Sequence, residues 1–241
     1  TGSTPVPPTI IKRTLMLTSK DVQALTGFAP KNLELYISAF THRSYLNEHR
    51  GFELPHNERL EFLGDAVLEL VATEHLFKTY EHPEGELTNF RSALVNYKML
   101  SEIAKRMGLE EHLLMSRGEA KDMGRARQVI LANTIEALIG ALYLDLGYEP
   151  SQTFIEKEIL VELPSIISGQ KYLDPKSQLQ EMVQDKFGVT PTYGVISESG
   201  PDHDKVFVVA AYQGQKEIGR GEGPSKQEAE ISAAENALAK L

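Results

Sequence analysis

The chain has 241 residues, no cysteine and a formal net charge of -9, long enough for one large domain or two small ones, each with a real core. Disulfides, thiolate metal sites and cysteine nucleophiles are thereby excluded, and the acidic balance rules out a generally basic coat, so a polyanion would have to bind at local patches or through metal ions. Hydrophobic residues make up 41% and charged residues 24%, as in soluble globular proteins; no apolar run approaches the ~20 residues of a membrane span, nothing at the start resembles a secretory signal, and a cytoplasmic setting is expected.

Residues 1–15, opening TGSTPVPPTIIKRT, are rich in Thr and Pro and read as a tail outside the fold. From Ser19 to about Ile167 the pattern is helical almost throughout. LTSKDVQALTG starts at a capping-type Ser19 and stops at Gly27. Amphipathic stretches follow at KNLELYISAFTHRSYL, ERLEFLGDAVLELVATEHLF, ELTNFRSALVNYKMLSEIAKRMG, QVILANTIEALIGALYLDLG and PSQTFIEKEILVELPSII. SGQKYLDP, residues 168–175, reads as a linker, and beyond it the period changes. One helix (KSQLQEMVQDKFG), three alternating segments (TPTYGVISES, KVFVVAAYQ, KEIGRGEG) and a last helix (SKQEAEISAAENALAKL) give a module of order α-β-β-β-α. The expected architecture is an all-α domain over 16–167 followed by a small α+β domain over 174–241.

The stretch HNERLEFLGDAVLELV, residues 56–71, threads four acids through an apolar helix. At ~100° per residue Glu58, Glu61, Asp65 and Glu69 fall at about 0°, 300°, 340° and 20°, a single narrow face, with Leu60, Leu63, Val67, Leu70 and Val71 opposite. Like charges three and four apart repel, so the stripe costs stability unless water or a cation relieves it. An ordinary solvated acidic face is the competing reading. Against it, no Lys or Arg shares that face to compensate it, and Phe62, at about 40°, sits among the acids, an aromatic on a surface that something else covers.

A second helix, QVILANTIEALIGALYLD, residues 128–145, repeats the logic. Asn133 and Glu136 lie within about 60° of each other beside Ala137 and Gly140, while Leu131, Ile135, Leu138 and Leu142 hold the back. The small residues allow another backbone to approach closely. Alone, an Asn and a Glu in a helix read as structural; paired with the first helix, they could complete an oxygen-only set of Glu61, Asp65, Asn133 and Glu136. Hard oxygen donors without His or Cys suit Mg²⁺, whose octahedral shell keeps waters and takes phosphate oxygens, one such water serving as the nucleophile of phosphodiester hydrolysis.

HNERLEFLGD, with THRSYLNEH before it and EGELTNFRSALVN and ILANTIEALIGALYLD after it, closely resembles bacterial ribonuclease III, and the C-terminal module resembles that family's double-stranded-RNA-binding domain. The likeness runs in order from about Leu17 to Leu241. It implies a Mg²⁺-dependent endonuclease, Mn²⁺ also serving, that works as a homodimer on double-stranded RNA such as precursor ribosomal RNA. Product ends would be 5′-phosphate and 3′-hydroxyl with a two-nucleotide 3′ overhang. The metal-binding positions fall on Glu61, Asp65, Asn133 and Glu136, with Asp65 and Glu136 catalytic, and two further acids of the cleavage valley fall on Glu58 and Glu84. Phe62 matches the aromatic knob that inserts into the partner subunit, which would explain an exposed ring among carboxylates. His42 and Arg43 also match and read as helix-packing or groove residues; His49, His56, His75, His82 and His112 lack metal-ligand spacing and read as surface positions.

Asn133 departs from the family's usual Asp. Losing a negative charge weakens the hold on a cation, though an amide oxygen still ligates or orients water. The expectation is reduced affinity, with a cleavage-impaired duplex-binding protein as the alternative; a purely structural subunit would not need the intact acidic set. In the binding module the resemblance assigns RNA contact to Gln180 and Gln184 on the first helix, to Pro201 and His203 in the GPDHDKV loop, and to Ser225 and Lys226 at the start of the last helix, where amides and a cation meet phosphate. Residues 174–241 carry 7 Lys and Arg against 11 Asp and Glu, so affinity should be modest and strongly salt-dependent.

Overall fold

The computed structural model describes residues 17–121, 124–170, 172–201 and 205–241, in two compact units divided between Ile166 and Ile167. The expected tail lies outside the described residues. The first unit is helical: α1 Ser19–Thr26, α2 Leu33–Ala39, α3 Arg43–Glu48, α4 Glu58–Thr79, α5 Glu84–Val95, α6 Tyr97–Arg106, α7 Arg125–Leu146 and α8 Tyr148–Glu158, with α9 Leu163–Ser168 at the division.

Helix ends depart from the sequence reading where a side chain captures an amide. Thr18, not Ser19, caps α1, its hydroxyl accepting from the Asp21 N–H while the Asp21 carboxylate accepts from the Thr18 N–H, the reciprocal capping box. KNLELYISAFTHRSYL splits into α2 and α3 because Thr41 leaves the helix to bridge Leu114, and His42 Nδ1 then accepts from the Ser44 N–H to start α3. ELTNFRSALVNYKMLSEIAKRMG splits at Asn96, whose side-chain oxygen accepts from the Met99 N–H at 3.0 Å and opens α6. Apolar spacing runs on across both caps, so periodicity alone cannot see them.

α7 is the core helix. By length and hydropathy it could cross a membrane, contrary to the expectation that no segment would qualify, yet most of it is buried inside this unit. Leu131, Ile135, Ala137, Leu138, Gly140, Ala141 and Leu142 are all buried, so the small-residue face expected to admit another backbone is covered as well as the back. What covers it is α4, and two glycines allow the contact. A Cβ on Gly64 would lie 1.8 Å from the Glu136 carbonyl oxygen, and one on Gly140 would lie 2.2 Å from that of Leu60. The helices therefore meet backbone to backbone, closer than any side chain permits.

The second unit has α10 Pro175–Phe187, strands β1 Thr192–Ser199, β2 Val206–Gln213 and β3 Lys216–Gly223, and α11 Lys226–Leu238. The sheet is antiparallel in the order β1-β2-β3, with a register shift between Val195 and Ser197. Leu179 and Val183 of α10 and Ala229, Ala233, Ala234 and Ala237 of α11 close one face over Val209, Ala211 and Ile218. The alternating glycines of KEIGRGEG seat α11 against β3, since a Cβ on Gly221 would meet the Ala233 nitrogen at 2.2 Å.

Candidate active site

The α4–α7 seam brings together the four oxygen donors singled out from the sequence. Gly64 follows Glu61 and precedes Asp65, and it lies against the Glu136 carbonyl. Glu61, three residues before this contact, and Asp65, directly after it, are thereby held beside Asn133 and Glu136 of α7. The Asn133 side chain hydrogen-bonds the Glu61 carboxylate. Glu136 is the most perturbed acid: burial first, then the charges of Asp65 and Glu61, push its carboxyl up to about 8. Burial also raises Glu61, with Glu58 adding to the rise, the Asn133 bond opposing it and Asp65 contributing least. Asp65 reaches solvent, yet desolvation by neighbouring protein and then Glu69 raise its carboxyl too.

Such a group stores repulsion that a divalent cation offsets, and an ion would displace the proton Glu136 otherwise keeps near neutral pH. The donors are all oxygen and suit a hard ion such as Mg²⁺. Among the described residues, no three acid or histidine side chains already close on one point. The helices hold the donors in one place, and enclosing an ion calls for side-chain rotation.

Two expectations for α4 need correction. Leu70, placed on the oily back, is 57% exposed, while Gly64, Leu68 and Ala72, nearer the acids, are buried. The cause is α7, which packs along the flank of the acidic stripe rather than opposite it. Nor is the stripe without a cation: Arg43, from α3, places Nη1 3.5 Å from Glu58 Oε1. A helical wheel cannot show a partner supplied by another element. Glu84 is the first residue of α5 and accepts a hydrogen bond from Thr88 of its own helix at 3.1 Å. Phe62 is 81% exposed. Gly64 was missed in the sequence, although a glycine inside a strong helix former marks close backbone approach.

Residues 32–163 match the family described as Ribonuclease-III-like, and residues 175–241 match the double-stranded RNA binding motif. The chain belongs to the ribonuclease III family. It is 42% identical over 232 residues to Ribonuclease 3 of Geobacter metallireducens, covering 95% of this chain and 94% of that one. Identity to Ribonuclease 3 of Desulforamulus reducens is 44%, covering 89% of this chain and 88% of the relative. Among solved structures, the nuclease domain of ribonuclease III from Campylobacter jejuni matches with a TM-score of 0.54 and 37% identity, over 61% of this chain and 99% of that domain; that structure concerns flexibility in a region involved in dimer formation.

Within the RNA-binding motif, Gln180 and Gln184 are exposed on α10, and Gln184 accepts a hydrogen bond from Thr190 at 3.5 Å. Pro201 is exposed; His203 lies outside the described residues. Ser225 caps α11, its hydroxyl accepting from the Glu228 N–H at 3.2 Å. Lys226 is exposed and holds its ammonium 5.8 Å from the centre of the Phe207 ring, a cation–π distance. Several other cations of this unit are paired internally, Lys176 with Glu230, Lys205 with Glu198 and Arg220 with Glu217.

Proposed function

We propose that this ribonuclease III, in the cytoplasm, hydrolyses double-stranded RNA with Mg²⁺, Mn²⁺ substituting, held by Glu61, Asp65, Asn133 and Glu136. The products would be 5′-phosphate and 3′-hydroxyl ends with two-nucleotide 3′ overhangs, formed during processing of ribosomal RNA precursors and other transcripts. The observation that carries the reading is the glycine-mediated seam of α4 and α7, which gathers these donors and pushes Glu136 up to about 8. A bound ion would supply Lewis acidity toward the scissile phosphate and a nucleophilic water at neutral pH. The residues' part is to hold donors on two rigid helices: Asp65 and Glu136 nearest the reacting atoms, Glu61 oriented by its bond from Asn133, and Glu58 and Glu84 along the RNA path. Gln180, Gln184, Pro201, His203, Ser225 and Lys226 would hold the duplex by its shape and phosphates.

A staggered cut needs two sites, one per strand. A second copy of the chain supplies the other. Support comes from the apolar residues that α4 leaves in water, Phe62 at 81%, Leu70 at 57% and Phe77 at 79% exposure. Phe62 and Leu63 border a groove of about 680 Å³ that also takes in Leu35, Leu60 and Leu144. A patch of this kind marks an interface.

The neutral amide of Asn133, spent on Glu61, favours a second reading, in which the chain binds duplexes and no longer cuts them. Incubating the protein with a long perfect duplex in Mg²⁺, with Ca²⁺ as the binding-only control, and mapping product termini separates the two. Duplex-specific products with 3′ overhangs support the enzyme; binding without products at every Mg²⁺ concentration supports the second reading.

A further inference from the structure

We infer that Arg43 is a contact for the RNA backbone on the nuclease unit, resting on Glu58 until a phosphate takes its place; this depends on the acidic face of α4 being the cleavage surface. Arg43 opens α3, and its guanidinium reaches across to the first residue of α4. The link is single and long, 3.5 Å, between side chains 71% and 50% exposed. Ion pairs this open are weak and screened by salt. Two other arginines of the same unit are tied in more firmly: Arg127 is 14% exposed and lies 3.1 Å from Glu110, and Arg106 bonds both the Glu162 carboxylate and the Glu158 carbonyl.

Position gives the loose arginine its use. Glu58 stands close enough to Glu61 to raise that carboxyl, so Arg43 sits at the rim of the donor cluster. A polyanion reaching a chain of net charge -9 meets repulsion there unless a cation bridges the approach. A phosphodiester offers two anionic oxygens to the guanidinium fork, a better match than the single carboxylate oxygen now engaged. Glu58 would not be stranded by the exchange, because its side chain is 50% exposed and stays solvated.

The test compares Arg43→Gln and Arg43→Lys with the parent and with Glu58→Gln, following cleavage of a perfect duplex RNA in Mg²⁺ and duplex affinity in Ca²⁺ across a salt series. For Arg43→Gln the expected result is a KM about 3 to 10 times higher at low salt, with kcat at saturating RNA changed less than about two-fold. The slope of log affinity against log salt should become shallower by about 0.7 to 0.9, the signature of one lost phosphate contact. Arg43→Lys should restore the slope, since the charge is retained. Unchanged KM and slope, or a fall in kcat alone matching that of Glu58→Gln, would overturn the assignment, because Arg43 would then act only by holding Glu58. A parent that fails to cut removes the catalytic reading of the face, while the Ca²⁺ salt slope still decides whether Arg43 touches RNA.

Discussion

Gly64→Ala is the most exacting perturbation of the seam that builds the site. The added methyl would lie 1.8 Å from the Glu136 carbonyl oxygen, 2.7 Å from its carbon and 2.8 Å from the Gly140 nitrogen, all backbone atoms unable to turn aside. Reaching ordinary contact, roughly 3.5 Å, requires the helices to separate locally by about 1.5 Å. Overpacking of this kind costs about 1 to 3 kcal/mol or more, and the better helix propensity of Ala returns at most about 1. A net loss of about 2 kcal/mol would lower the melting temperature of the nuclease unit by roughly 4 to 8 °C. Displacing Glu61 and Asp65 from Asn133 and Glu136 by more than ~1 Å should also reduce kcat about 100-fold. Thermal unfolding followed by circular dichroism and cleavage of a saturating duplex read the two effects, with Gly51→Ala as a control, since a Cβ there meets nothing within 4 Å. A Gly64→Ala protein melting within about 1 °C of the parent and cutting at the parental rate would refute the backbone contact.

Glu136→Gln should stabilise the metal-free protein at neutral pH. Its carboxyl is raised from 4.5 to about 8 in the fold, so the charged form is disfavoured there and the destabilisation grows as pH rises through that window; removing it should add about 1 to 3 kcal/mol at pH 7.5 and nothing at about pH 4. Denaturant melts with a chelator check this, and a gain that does not grow with pH contradicts it. Phe62→Ala should weaken self-association by about 3 to 5 kcal/mol per site if the ring is enclosed by a second copy; an unchanged sedimentation profile at low concentration counts against that interface. Asn133→Asp should lower the Mg²⁺ concentration giving half-maximal cleavage while changing the maximal rate less, and no change in either would remove Asn133 from the metal shell.

The grouping of Glu61, Asp65, Asn133 and Glu136 was legible because helical spacing placed Glu61 with Asp65 and Asn133 with Glu136 on narrow faces, and the family likeness joined the two faces. The strands of the second unit were legible for a similar reason, as a period of two punctuated by glycine survives in TYGVISES and KEIGRGEG. Contacts between elements were not legible. Arg43 meets Glu58 across the loop between α3 and α4, and Gly64 reveals its purpose only once Glu136 lies over it. Leu70 was misplaced because a wheel assigns one buried face, whereas α4 packs on α7 along its flank and leaves Leu70 in water. The breaks at Thr41 and Asn96 went unseen because capping interrupts hydrogen bonding without interrupting apolar periodicity.

The most direct measurement of the proposed hydrolysis is a single-turnover comparison of the parent with Glu136→Gln on one perfect duplex RNA, binding in Ca²⁺ and cutting in Mg²⁺ being read from the same preparations. The expected result is duplex affinity within a few-fold of the parent and no detectable cleavage. Turnover retained by Glu136→Gln would contradict the assignment of catalysis to the α4–α7 donors.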